Sequence, residues 1–169
     1  VVRHSTAGVP VFLSNCLSNS VVINAGDGEH EHPTQGLLDL LTIRDSLGDL
    51  DGLKVALIGD ITHSRVARSN IWGLRKMGAR VVVCGPPTLI PIEIEEMDVE
   101  VCYQVEEALR DADVVYALRL QLERQREAFY PSLREYSRLF GIDSERLEIA
   151  KSSAIVMHPG PINLSLIHI

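Results

Sequence analysis

Val55-Ala56-Leu57-Ile58-Gly59-Asp60 is a continuous apolar run that stops abruptly at a glycine and an acid. A run this short, closed by polar turn residues, reads as a strand buried on both faces. Working outward, Ser64 to Met77 reads as a helix. Ala79 to Cys84 (ARVVVC) is a second strand, and Gly85-Pro86-Pro87 breaks it. Val99 to Tyr103 is a short strand, Glu106 to Arg110 a helix, and Val114 to Leu118 and Ala154 to Met157 two further strands. Strands alternating with helices in this way predict an α/β fold, a doubly wound parallel sheet. Ligands on such sheets sit beyond the carboxyl ends of the strands. The residues following Gly59, Leu118 and Met157 are therefore the candidates for function.

Upstream, Ser20 to Ala25 (SVVINA) predicts a buried strand feeding the turn-rich Gly26-Asp27-Gly28. Then comes His32-Pro33-Thr34-Gln35, with Leu37, Leu38, Leu40, Leu41 and Ile43 at helical spacing behind it. Pro33 suits a first helical turn, where its missing N–H costs nothing. Gly48 and the polar turn of residues 49–52 end the helix, which makes it a candidate hinge between two domains.

The 169 residues hold Lys+Arg 16 against Asp+Glu 23, a formal charge of −7. An acidic balance argues against a nucleic-acid or membrane-surface binder. Hydrophobic residues at 46% and charged residues at 23% exclude wholesale disorder. No apolar run approaches the ~20 residues of a membrane helix. Cys16, Cys84 and Cys102 show no CxxC spacing, so disulfide and zinc frameworks are not expected and a reducing cytoplasm fits. The chain opens on Val1-Val2-Arg3-His4 and ends in a short apolar tail for which neither helix nor strand is expected. It is read as a fragment.

Beyond the first strand lies Gly59-Asp60-Ile61-Thr62-His63-Ser64-Arg65, which is not a GxGxxG dinucleotide fingerprint, so a nucleotide-binding module rests on the alternating pattern alone. Arg65 falls near a helix N-terminus, where dipole and guanidinium both favour an anion; a solvated helix charge is an equal reading. Arg119 and Gln121 follow Leu118 directly, and their planar forks suit carboxylates or amides. Taken alone, that segment also reads as an ordinary charged helical turn. Met157-His158-Pro159-Gly160-Pro161 is a stiff loop whose carbonyls can accept from a substrate –NH2 group. His32 and Gln35 share one side of a helix start. His30-Glu31-His32 is too close-packed for a zinc site, and no metal is expected.

Taken in order, Arg3-His4-Ser5-Thr6-Ala7-Gly8, Val22 to Gly28, His32-Pro33-Thr34-Gln35, Gly59-Asp60 with His63 to Ser69, Leu118 to Gln125, and Met157 to Pro161 resemble the aspartate carbamoyltransferase catalytic-chain family. The sister ornithine family typically carries Cys in place of Thr34 and His-Cys-Leu-Pro in place of residues 158–161; neither is present. The resemblance implies two doubly wound domains of the carbamoyltransferase fold, the first incomplete here. Residues 1–32 would end the carbamoyl-phosphate-binding domain, 33–48 form the interdomain helix, and 49–163 the aspartate-binding domain. The family's Ser-x-Arg-Thr-Arg phosphate loop, its loop lent by a neighbouring subunit and its C-terminal helix are not in this sequence. Leu164 to Ile169 stand where the family continues Arg-Gly. They are also the translation of a transposase adapter, so the natural sequence is expected to end at Asn163.

By position, the resemblance makes Arg3 and His32 the catalytic donors to the carbamoyl oxygen. Gln35 and the carbonyls of Pro159 and Gly160 would hold the carbamoyl –NH2. Arg65, Arg119 and Gln121 would grip the carboxylates of L-aspartate. It implies no cofactor, a cytoplasmic homotrimer with shared active sites, and regulatory or dihydroorotase subunits in some assemblies. Two other readings compete: a non-catalytic assembly partner that keeps the fold, and a carbamoyltransferase for another amino acid.

Overall fold

A computed structural model of the chain describes residues 1–120, 132–160 and 167–168. Its centre is the run quoted first. β3 (Lys54–Ile58) lies between β4 (Arg80–Cys84) and β6 (Val114–Ala117), with β5 (Glu100–Cys102) outside β4 and β8 (Ile155–Met157) outside β6. All four pairings are parallel. Side chains alternate across this sheet as a pleat requires. Val55, Leu57, Val81, Val83, Val114 and Tyr116 face one layer, shared with Ile43, Ile71 and Leu74. Ala56, Ile58, Val82, Cys84, Val115 and Ala117 face the other, shared with Val105, Ala108 and Leu109. Apolar layers on both faces explain why these strands read as unbroken hydrophobic runs.

The helices supply the two layers. α2 (Pro33–Leu47) begins with Pro33 in its first turn and ends at Gly48, and α3 (Arg65–Lys76) is capped by the Ser64 hydroxyl, which accepts from the Ala67 N–H at 3.1 Å. α4 (Val105–Leu109) covers the opposite face. The chain leaves β3 toward β4 on one side and later adds β6 on the other, so the β3–β6 boundary is a topological switch point.

Toward the N-terminus, β1 (Val2–His4) pairs in parallel with β2 (Asn24–Asp27), and α1 (Val9–Cys16) connects them. The strand expected over Ser20–Ala25 is thus displaced: Val21 is 89% exposed, and pairing starts only at Asn24. Its β-branched residues do not mark burial here. α1, α5 (Leu133–Phe140) and the short α6 (Ser144–Leu147) were not expected from the sequence. Nor was β9 (Ile167–His168), which pairs with β7 (Ile142–Asp143) and so places a strand within the tail.

Candidate functional site

The carboxyl ends of β3, β6 and β8 open on one cavity of about 210 Å³, lined by Arg3, His32, Gln35, Ser64, Arg65, Val66, Leu118, Arg119, Pro159 and Gly160. Seven of the eight residues singled out in the sequence meet there. Gln121, the eighth, lies outside the described residues. Ser64, Val66 and Leu118 join them without having been expected. A second hollow of about 290 Å³ between α2 and α3 is lined largely by Leu37, Leu40 and Trp72, and lacks this convergence of arginines.

Each side chain is placed by a local cause. Arg65 opens α3 yet is only 9% exposed, and its Nη1 donates to the Gly28 carbonyl at 3.0 Å. That contact ties the start of α3 to the loop after β2 and removes the reading of Arg65 as a solvated helix charge. Gly26 makes room for it, since a Cβ there would stand 3.0 Å from Arg65 Nη1 and 3.2 Å from Arg3 Cγ. Ahead of Arg65, buried Asp60 accepts from the His63 N–H at 3.1 Å, with the His63 ring 2.9 Å from the same oxygen. The turn feeding α3 is thereby fixed.

His32 stands at the N-cap of α2, its N–H donating to Ser69 Oγ at 2.8 Å. Partial burial, with the positive charges of Arg65 and Arg3 added, holds its pKa below the usual histidine value and keeps the ring neutral. Thr34 Oγ1 lies 3.3 Å from His32 Nδ1. One turn on, Gln35 Nε2 donates to Asp39 Oδ1 at 3.0 Å. Asp39 is the residue the sequence reading missed. Its Oδ2 accepts from Asn70 Nδ2 at 2.9 Å and from the Tyr116 hydroxyl at 2.6 Å, joining α2, α3 and β6. Burial, then the Asp39 charge, raises the Tyr116 pKa, so the hydroxyl stays a donor. A signal was present: an acid inside Leu37-Leu38-Asp39-Leu40-Leu41, four residues after Gln35.

On the third strand end, the Gly160 N–H donates to His158 Nδ1 at 2.8 Å and curls the loop over the cavity. Burial, then Arg119, lowers the His158 pKa. Asp27, His30 and Glu31 group potential metal-ligand atoms within 4.8 Å. However, Asp27 already accepts from the Gly8 N–H at 2.8 Å, and Glu31 from Asn24 Nδ2 at 2.8 Å. Hydrogen bonds internal to the protein account for the cluster.

A doubly wound parallel sheet whose switch point opens onto three arginines, a neutral histidine and an amide defines a binding site for small anionic substrates. Comparison with known proteins makes this specific. Residues 51–165 match the Asp/Orn binding domain of aspartate/ornithine carbamoyltransferases, and residues 1–45 match the carbamoyl-P binding domain. The chain belongs to the aspartate/ornithine carbamoyltransferase family. It is 60% identical over 163 residues to the aspartate carbamoyltransferase catalytic subunit of Caldanaerobacter subterraneus, covering 96% of this chain and 53% of that protein. The catalytic subunit of Desulforamulus reducens is likewise 60% identical, with 96% and 52% covered. Among solved structures, aspartate transcarbamoylase from Trypanosoma cruzi in complex with N-(phosphonacetyl)-L-aspartic acid superposes with a TM-score of 0.83 at 31% identity, covering 98% of this chain and 55% of that one. Ornithine carbamoyltransferase from Gloeobacter violaceus gives 0.72 at 30% identity, with 87% and 51% covered. The chain spans about half the length of the curated relatives it matches. No helix among the described residues is long and apolar enough to cross a membrane.

Proposed function

We propose that the protein to which this chain belongs transfers the carbamoyl group of carbamoyl phosphate to the α-amine of L-aspartate. The products are N-carbamoyl-L-aspartate and phosphate, a step of de novo pyrimidine synthesis. The convergence of Arg3, His32, Gln35, Arg65 and Arg119 on one cavity carries this reading. It works in the cytoplasm as a homotrimer with shared active sites, and regulatory or dihydroorotase subunits join in some assemblies. Residues 1–32, 33–48 and 49–163 serve as the end of the first domain, the connecting helix and the aspartate-binding domain.

Within the cavity, Arg3 and His32 donate to the carbamoyl oxygen, whose negative charge grows as the tetrahedral intermediate forms. A neutral His32, a lining residue of the cavity, suits that role: a neutral imidazole carries one N–H to donate and adds no charge of its own beside Arg3 and Arg65. Gln35 has its amide nitrogen engaged by Asp39, which leaves its Oε1 to accept from the carbamoyl –NH2 beside the Pro159 and Gly160 carbonyls. Arg65, Arg119 and Gln121 bind the two aspartate carboxylates. Departing phosphate accepts the amine proton. Orientation and fixed dipoles then supply the catalysis, without metal or cofactor.

The test is kinetic, on the full-length protein. Ornithine should be a far poorer acceptor than aspartate, because arginines placed for carboxylates repel a cationic side chain. Arg119→Ala should raise the KM for aspartate, a loss of about 2–3 kcal/mol. His32→Ala should instead lower kcat by roughly 100- to 1,000-fold, as removal of an oxyanion donor does. Comparable turnover with ornithine, or both variants behaving as the parent, sinks the assignment.

A further inference from the structure

Cys84 and Cys102 take no part in the site, yet the sheet brings them together. They are register partners on adjacent parallel strands, β4 and β5. Both lie on the face that packs against α4: Cys84 belongs to that buried cluster and Cys102 packs on its margin. We infer that Cys84 and Cys102 form a dithiol modification site that hydrogen peroxide closes into a reversible cross-strand disulfide at the edge of the central sheet.

Geometry carries the inference. Paired residues on neighbouring strands have Cα atoms ~5 Å apart, inside the ~4.4–6.8 Å span a disulfide bridges. Side chains on the same face of the pleat point the same way. β5 is three residues long and lies at the sheet edge, so it can adjust to the bond. Access is graded as well, since Cys84 is buried and Cys102 only partly so. An oxidant meets Cys102 first. A hydrogen bond between the thiols lowers the Cys102 pKa and raises that of Cys84, whose burial raises it further. The more accessible Cys102 is thus the nucleophile and the buried Cys84 the resolving thiol. Glu107 acts on both sulfurs and Glu106 on Cys84. Those carboxylates disfavour an anionic disulfide such as oxidised glutathione, whereas peroxide is small and uncharged.

The chemistry balances in two steps. The Cys102 thiolate attacks one peroxide oxygen and the O–O bond breaks. Hydroxide leaves, takes up the thiol's proton as water, and Cys102 becomes a sulfenic acid. The Cys84 sulfur then attacks Cys102 Sγ, the S–O bond breaks, and hydroxide departs with the Cys84 proton as a second water. Two thiols lose two electrons and one peroxide becomes two waters.

The experiment uses the chain itself, treated with hydrogen peroxide in native buffer and in urea, then alkylated, digested and mapped by mass spectrometry. In native buffer the thiol titre should fall from three to one, with a Cys84–Cys102 peptide pair and Cys16 alkylated. Dithiothreitol should restore all three thiols. The oxidised form should melt about 5–10 °C higher, because the bond closes the loop between the two strands. Cys84→Ser should leave Cys102 to overoxidise, and Cys102→Ser should leave Cys84 unreacted over the same interval. A native sample giving the same scrambled pairs with Cys16 as the urea sample, or no loss of thiols, overturns the proposal.

Discussion

Asp39→Ala should remove about 4 kcal/mol of folding stability, a large share of the roughly 5–15 kcal/mol that a folded domain holds. Three donors converge on this carboxylate: Gln35 Nε2 at 3.0 Å, Asn70 Nδ2 at 2.9 Å and the Tyr116 hydroxyl at 2.6 Å. Asn70 and Tyr116 are each 1% exposed, so water cannot replace the lost acceptor without opening the core. An unsatisfied buried donor costs roughly 1–3 kcal/mol, and two are created at once. Tyr116→Phe removes one donor while leaving the carboxylate two, and should cost only about 1–2 kcal/mol. Urea midpoints of the two variants decide the matter. If Asp39→Ala is no worse than Tyr116→Phe, the carboxylate is not the hub. On the function proposed above, Tyr116→Phe in the full-length protein should also leave the KM for carbamoyl phosphate nearly unchanged, because Gln35 keeps its anchor.

This network marks the boundary of what the residues disclose on their own. β3, β4 and β6 were legible because a strand covered on both faces must be apolar throughout, and Val55 to Ile58 has no other use for such composition. α3 was read over Ser64 to Met77 and forms over Arg65–Lys76. Arg65, Arg119, Pro159 and Gly160 were legible because they follow strand ends, where the topology of a doubly wound sheet sends ligands, whereas Arg3 was singled out only by the family resemblance and His32 and Gln35 by a helix start. What did not show was partnership across elements. Nothing near Asp39 in sequence announces Tyr116 or Asn70, which reach it only after β6 and α3 pack on α2. β2 was misplaced for a related reason: Val21 and Val22 have strand propensity, but pairing with β1 starts at Asn24. α5 was missed despite a readable signal, Ser132 with Glu135 three residues later, whose N–H the Ser132 hydroxyl accepts at 3.1 Å. The unexpected pairing of Ile167 with Ile142 involves too few residues for periodicity to register.

Gly59→Ala should destabilise by about 4 kcal/mol and lower the melting temperature by roughly 8–16 °C. Gly59 has φ +134°, a region that L side chains rarely adopt, and an added Cβ would run into the Leu118 carbonyl oxygen. Neither side of that clash can yield cheaply. The Gly59 N–H donates to the Cys84 carbonyl at 2.8 Å, and the Leu118 N–H donates to the Ile58 carbonyl at 2.8 Å, so three strand ends are pinned around it. Backbone strain of this kind costs roughly 1–3 kcal/mol and forced overpacking a similar amount, which is the source of the sum. Gly52→Ala separates the two: its φ is +75°, yet nothing lies within 4 Å of the added Cβ, so it should cost only the strain. The clash has a functional direction as well. From this pinch the chain runs one way through Asp60 and Ser64 to Arg65, and the other through Leu118 to Arg119. Relief of the clash must move at least one of these arginines. On the function proposed above, the full-length Gly59→Ala protein assayed well below its melting point should therefore need more aspartate for half-saturation, while Gly52→Ala should match the parent. Equal melting temperatures for the two variants would show that the close approach of Gly59 to Leu118 carries no weight.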